Sequence, residues 1–267
     1  MSNKSILFTA ISFYYIKPAQ TSFIINAMET GKRAAKLRAV FFDAGGTLFQ
    51  PHPSVGELYA RTAAKHGMKV DPHKVEHIFR EEFARRDKLE SVEAHRSEKN
   101  EREWWHSLVK DVFAQVTEIN NFEAYFEDLY DLFARAEAWK LYPEVIGLLE
   151  ILKAQKLILG IISNWDHRLH SICTEMQLTH YFDFILASAV VGSAKPDSGI
   201  FKEALKRADV APHEAVHVGD SVENDYHGAK NVGIRALLVD RSGRAPKDVE
   251  TIPSLSGVLA FCKLKPL

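Results

Sequence analysis

Four short stretches carry side chains that could do chemistry together. The apolar run Ala39-Val40-Phe41-Phe42 reads as a buried strand; it ends on Asp43, and Ala44, Gly45, Gly46 and Thr47 follow. The apolar run 157–162 ends in a hydroxyl and an amide, Ser163 and Asn164. Ala194-Lys195-Pro196-Asp197 sets a lysine just before a helix start, and the run 215–219 leads into Asp220 and, five residues on, Asp225. In an open parallel α/β sheet, ligands sit beyond the carboxyl ends of the strands. Asp43 would then stand on the floor of a crevice with flexible backbone beside it. Each stretch alone has an ordinary reading: a strand with a Gly turn, a strand end, a helix-start turn, a helix cap.

The four stretches, in this order, resemble the motifs of the haloacid dehalogenase-like (HAD) hydrolase superfamily, over about residues 37–241. The resemblance implies phosphoryl transfer through a covalent aspartyl phosphate, with Asp43 as the nucleophile. Catalysis of that kind depends mainly on positioned positive charge. On the same basis Asp43, the Gly45 carbonyl and Asp220 would share a Mg²⁺, which prefers such hard oxygen ligands; Asp225 would orient its waters or bind it directly. Lys195 would hold the phosphate and the nucleophile's carboxylate. Ser163, with Asn164, Thr47 and the backbone after Asp43, would bind the phosphate, and Thr47 would also fix the loop.

One position departs from the pattern. Phosphatases of this superfamily typically carry a second aspartate two residues after the nucleophile, to protonate the leaving group and then activate water. Here that position is Gly45. General acid–base help is typically worth 10²–10⁴-fold, or roughly 3–5 kcal/mol of barrier. Metal and phosphate binding are therefore better supported than fast turnover. If another residue supplies the acid, His52, Asn164 and His167 are the first places to look. Non-acidic residues also occupy this position in 2-haloacid dehalogenases, but those enzymes need no metal and lack an acidic pair like Asp220 and Asp225. Three functions stay in view: a Mg²⁺-dependent hydrolase of a small phosphorylated metabolite, a catalytically weak protein that binds metal and phosphate or acts through protein contacts, and a dehalogenase-like carbon hydrolase.

The elements that must position these residues follow from the hydrophobic pattern. Strands alternate with helices from residue 141 onward, which implies a Rossmann-like three-layer α/β core, a parallel sheet with helices on both faces. Between the first and second motifs lie four amphipathic helices, expected near 54–67, from 71 through at least 83, near 101–116 and near 122–138, able to bury their stripes as a small bundle. The resemblance makes that bundle a cap over the active site. The expected division is 37–51 with 141–267 as core, 52–140 as helical cap and 1–36 as an N-terminal extension. Residues 50–54 read as a turn leaving the core. Trp104 and Trp105 read first as bundle core and second as a substrate wall. The charged run 80–102 reads as a solvated face, and His217 as a structural residue of a buried strand.

Composition narrows the partners. The chain has 34 basic and 35 acidic residues, so no global field draws in nucleic acid or an anionic membrane. Two cysteines, Cys173 and Cys262, with no CxxC spacing, fit a reduced, cytoplasmic setting. No apolar run reaches the roughly 18 residues of a membrane span. The stretch 5–16 is apolar and aromatic, and a basic cluster follows at Lys32, Arg33 and Lys36. Upstream sequence before a start at Met28, a targeting segment and an extra packed segment all fit it. The expected partner is a small phosphorylated substrate, and the expected state a monomer or homodimer.

Overall fold

The structure, a computed structural model, describes residues 36–94 and 97–264, the side chains of 87–94 excepted. The readings made for the N-terminal extension fall on residues 1–35, outside the described ones. β1 (Ala39–Phe42) is fully buried, as four consecutive apolar residues in a two-sided sheet require. It pairs in parallel with β4 (Ile158–Ser163) on one side and β6 (Ala215–Gly219) on the other. β5 (Phe184–Ala187) extends the sheet beyond β4; β7 (Arg235–Val239) and β8 (Thr251–Ile252) extend it beyond β6. The order is β5-β4-β1-β6-β7-β8, with every pairing parallel.

Alternation along each strand feeds two cores. Val40 and Phe42 pack with Leu159, Ile161, Val216 and Val218. That face is covered by α5 (Val145–Ala154), α6 (Arg168–Glu175) and α10 (Gly257–Phe261). Phe41 and Ala39 point the other way, toward Ile200 and Phe201 of α8 (Ser198–Ala208) and Ala229 of α9 (Gly228–Asn231). The result is the three-layer α/β core expected from the sequence. Burying each large apolar side chain of this kind contributes about 1.5–3 kcal/mol.

The helical insert comprises α1 (Val55–Lys65), α2 (Pro72–Ala94), α3 (Glu98–Ala114) and α4 (Phe122–Leu132). It has its own core, centred on Tyr59, Trp104, Phe113, Tyr125 and Phe126. Side-chain caps fix three of its helix starts: Ser54 accepts from Glu57 N, Ser97 from Asn100 N and Asn121 from Ala124 N. α1 crosses α2 so closely that a Cβ on Gly56 would lie 2.1 Å from the Pro72 carbonyl oxygen.

Several expectations need correction. Residues 49–51 are not part of a turn but strand β2 (Phe49–Pro51), antiparallel to β3 (Trp139–Leu141), so a two-stranded ribbon carries the chain into and out of the insert. α3 begins three residues earlier than expected because Ser97 supplies the cap. α4 ends at Leu132 rather than near 138: Ala134 N and Arg135 N turn back to Asp131 and Leu132, which brings Trp139 round to the ribbon. The charged run is not uniformly solvated. Arg86 is buried against Ser107 and Asp111, and Glu101 is buried against Trp105. β8 and α10 had no clear signal in the sequence. The residues 222–227 form a π-helical turn rather than the start of a regular helix. Among the described residues, no helix is long and apolar enough to cross a membrane.

Candidate active site

β1 is where the sheet order reverses: successive strands build outward through β4 and β5 on one side and through β6, β7 and β8 on the other. A crevice opens at such a switch point, because the loops from the two neighbouring strands leave in opposite directions. In register, Phe42 lies beside Ile161 and Val218, so the chain ends Asp43, Ser163–Asn164 and Asp220 emerge side by side. Asp43 N donates to Val218 O at 2.9 Å, which ties the nucleophile candidate's backbone to β6.

The loop after Asp43 is a tight turn. Gly46 N donates to Phe49 O and Leu48 N to Ala44 O, both at 2.8 Å. Gly46 has φ 77°, in the left-handed region that favours glycine. A Cβ there would also lie 2.2 Å from Asp220 Oδ2. Glycine therefore lets the loop and the Asp220 carboxylate share the same space.

Lys195 is the hub of the charged groups. Its Nζ donates to Asp43 Oδ1 and to Asp225 Oδ1, each at 2.6 Å, and it is almost fully buried. Ser163 Oγ donates to the same Asp43 oxygen at 2.9 Å. Both bonds fall on Oδ1 of Asp43. Asn164 clamps the lysine's backbone from both ends of its amide: Oδ1 accepts from Lys195 N at 2.7 Å, and Nδ2 donates to Lys195 O at 2.9 Å. Asp225 also accepts from His217 Nε2 at 2.8 Å and from Ser221 N at 3.0 Å. A carboxylate only accepts, so the proton of His217 sits on Nε2; its Nδ1 is buried without a partner.

The electrostatics follow from burial and proximity. Burial raises the Asp43 carboxyl; Lys195 opposes this and Asp225 reinforces it, and the net direction is upward. Burial also raises Asp225, but Lys195 and His217 outweigh it and hold that carboxyl far below its ordinary range. Burial alone would lower the Lys195 ammonium, yet Asp225 and Asp43 hold it above its ordinary range. Asp220 is open to the crevice at its rim but crowded by protein atoms. That desolvation, with the charges of Asp43 and Asp225, pushes its carboxyl up to about 8.

Carboxylate oxygens of Asp43, Asp220 and Asp225 lie within 4.8 Å of one another. One lysine faces these three acids, which leaves an excess of negative charge. Hard oxygen donors in that arrangement fit a divalent cation such as Mg²⁺.

A cavity of about 550 Å³ runs from this floor into the insert, within the range of small-ligand sites. Its lining includes Asp43, Gly45, Ser163, Asn164, Lys195, Asp220 and Asp225. Thr47 is not among them: it is fully buried behind the loop, and its Oγ1 has no partner. Asn164 lines the cavity with its amide already committed to Lys195. His52 is exposed and outside the lining, and His167 pairs with Glu98 at 2.6 Å. The tryptophan pair splits its roles: Trp104 belongs to the insert core, while Trp105 lines the cavity. His217 does more than fill a buried strand, since it holds Asp225; one polar residue at an inward position of an apolar strand was the signal. Trp165 carried no signal. A Cβ on Gly45 would lie 3.1 Å from its ring, so a side chain at position 45 would crowd the indole and press it back by a few tenths of an ångström.

Comparison with known proteins agrees with this layout. A family model described as haloacid dehalogenase-like hydrolase matches residues 37–233. Haloacid dehalogenase-like hydrolase domain-containing protein 3 from Mus musculus is 34% identical over 236 residues, covering 84% of this chain and 93% of the relative. The Homo sapiens protein of the same name is 32% identical over 206 residues, covering 76% and 82%. Among solved structures, a HAD phosphatase from Thermococcus onnurineus superposes with a TM-score of 0.62 at 24% identity, over 86% of this chain and all of that one. The L-2-haloacid dehalogenase RSc1362 superposes with a TM-score of 0.66 at 22% identity, over 85% and 99%. At these identities the structural neighbours speak for the fold, which phosphatases and dehalogenases share. The matches extend over most of the chain, and the family model spans all four motifs, so this chain belongs to the haloacid dehalogenase-like hydrolase family.

Proposed function

We propose that the protein is a Mg²⁺-dependent hydrolase of a small phosphorylated metabolite, with Asp43 as the nucleophile and residues 52–140 as the cap over it. The observation that carries this reading is the Lys195 ammonium held 2.6 Å from Asp43 and 2.6 Å from Asp225, with Asp220 beside them. Such a floor supplies a nucleophilic carboxylate, fixed positive charge and a place for a cation. Asp43, Asp220 and the Gly45 carbonyl would hold Mg²⁺, with Asp225 beside it; when bound, the ion would offset the charge of the phosphoryl oxygens.

The chain's own residues account for the rest. Lys195 and Ser163 occupy Oδ1 of Asp43, which leaves Oδ2 to form the bond to phosphorus. The ester P–O bond breaks with its electron pair on the leaving oxygen, which takes up a proton. Water then attacks phosphorus, frees the Asp43 carboxylate and gives up a proton, so the net reaction consumes one water. Lys195 would shift part of its hydrogen bonding from Asp43 to the phosphoryl oxygens as the carboxylate is used. His217 and Ser221 keep Asp225 in place, and Asn164 keeps the Lys195 backbone in place, so the ammonium is positioned before substrate arrives.

One observation favours a second reading, a catalytically weak protein that binds metal and phosphate. The Trp165 ring would be crowded by a Cβ on Gly45, at 3.1 Å, and an indole neither gives nor takes the proton needed there. Rapid quenching of the enzyme with acetyl phosphate and Mg²⁺, followed by mass measurement, tests the first reading. The expected result is a phosphorylated species that Asp43→Asn lacks. Equal labelling of that variant, or no labelling and no turnover on any phosphate ester, overturns it.

A further inference from the structure

The catalytic floor accounts for the phosphate end of a substrate and leaves the rest of the cavity unexplained. Its upper wall comes mostly from the insert and is aromatic: Phe79, Phe83, Trp105, Phe126, Phe133 and, from the ribbon, Trp139. Most of the polar groups that interrupt it are engaged with one another; the Tyr59 hydroxyl, also in the lining, is the exception. The Arg168 guanidinium donates to the Asp166 carboxylate at 2.9 Å and to the Tyr130 carbonyl at 3.3 Å, and lies 3.5 Å over the Tyr130 ring. The Tyr130 hydroxyl donates to Asp166 at 2.6 Å. The buried Glu101 carboxylate accepts from the Trp105 indole at 2.8 Å.

We propose that the substrate is a phosphomonoester whose alcohol part is one apolar, ring-bearing group with no second charge. The proposal rests on the phosphate-hydrolase reading above and names its substrate class. A sugar or polyol would carry several hydroxyls into a wall whose charged groups are already paired and which offers them little beyond the Tyr59 hydroxyl, and each hydroxyl left without a partner costs about tenfold in binding or more. A second anionic group would meet Glu101, while the nearby cation, Arg168, is neutralised by Asp166. An apolar ring meets aromatic faces and edges, where burial itself supplies the affinity.

Two measurements on the wild-type protein with Mg²⁺ test this. Hydrolysis of naphthylmethyl phosphate is compared with that of n-propyl phosphate and glucose 6-phosphate. All three are alkyl esters, so leaving-group acidity does not decide among them. Binding of naphthylmethylphosphonate, which cannot be hydrolysed, is compared with that of propylphosphonate by calorimetry. The expected result is a kcat/KM about 100-fold higher, and a Kd about 100-fold lower, for the naphthyl compound of each set. Trp105→Ala, checked for native circular dichroism, is expected to reduce both ratios to about tenfold or less.

The outcomes separate this inference from the reading beneath it. Hydrolysis of all three esters at similar kcat/KM overturns the apolar substrate class and leaves the hydrolase standing. Preferred binding of the naphthyl phosphonate without turnover of any ester supports the apolar site and overturns the hydrolase reading. Equal phosphonate binding with no turnover overturns both.

Discussion

Gly45 has an ordinary backbone angle, unlike Gly46 with φ 77°, so a side chain at position 45 is limited by space alone. The obstacle is the Trp165 ring, 3.1 Å from where its Cβ would sit. Trp165 is itself packed against Phe49 and Trp139, with ring centroids 5.9 and 5.1 Å away, which resists its displacement. Adding the missing acid is therefore expected to need two changes. Gly45→Asp alone is expected to leave methyl phosphate turnover within about threefold of wild type. In a Trp165→Ala background the same change is expected to raise turnover about 10²-fold over Trp165→Ala alone, the lower end of what a general acid supplies. Steady-state kcat for the three variants and wild type checks this. A full gain from Gly45→Asp alone would show that the indole is no obstacle, and no gain in either background would show that acid chemistry at position 45 does not limit the rate.

The insert meets the core where α6 begins. Asp166 accepts from Arg168 and from Tyr130 of α4, and His167 bonds Glu98 at the start of α3. Burial alone would raise the Asp166 carboxyl, but the hydrogen bonds and charge of Arg168, with the Tyr130 hydroxyl, hold it below its ordinary 3.8. A carboxyl depressed on folding contributes stability that is present above its unfolded pKa and is lost as pH falls through its folded pKa. Asp166→Asn leaves Arg168 as a buried, unmatched charge, and is expected to cost about 3 kcal/mol at neutral pH. The difference from wild type is expected to shrink as pH drops below about 4. Urea unfolding of both proteins across that range is the measurement. A difference that stays constant into acid would show that the shape of the side chain, not its charge, secures this junction.

At the scale of the molecule, the parallel sheet brings three acids from two separate segments to one point, and among the described residues one lysine faces them. Folding such a cluster is costly without a counter-ion, so a cation that binds the native state stabilises it by mass action. At Mg²⁺ about 100-fold above its Kd, the expected gain is about 2.7 kcal/mol, a rise in Tm of roughly 5–10 °C for a domain of this size. Asp220→Ala is expected to abolish the rise and to melt no lower than wild type without Mg²⁺, because it removes one of the mutually repelling acids. Thermal melts of both proteins with and without Mg²⁺ decide the matter. Superimposable wild-type curves would remove the metal from the site.

The sequence by itself determined the strand ends where the acids stand, and a helix start beside the lysine. An apolar run that stops on Asp43, and others that stop before Ser163 and Asp220, carry their meaning locally, since strand burial and strand termination depend on a few neighbouring residues. It also determined the helical insert, whose amphipathic stripes recur over whole turns. Tertiary structure alone decided which partners those residues take. His217 and Ser221 fix Asp225, Asn164 is spent on the Lys195 backbone rather than left open, and Thr47 is buried outside the cavity lining. Trp165 fills the space next to Gly45, and Arg86 and Glu101 are buried within a run that reads as solvated. These are contacts between residues distant in the chain or on opposite sides of a turn. They depend on how the sheet registers and how helices cross, and no local pattern of residue types encodes that geometry.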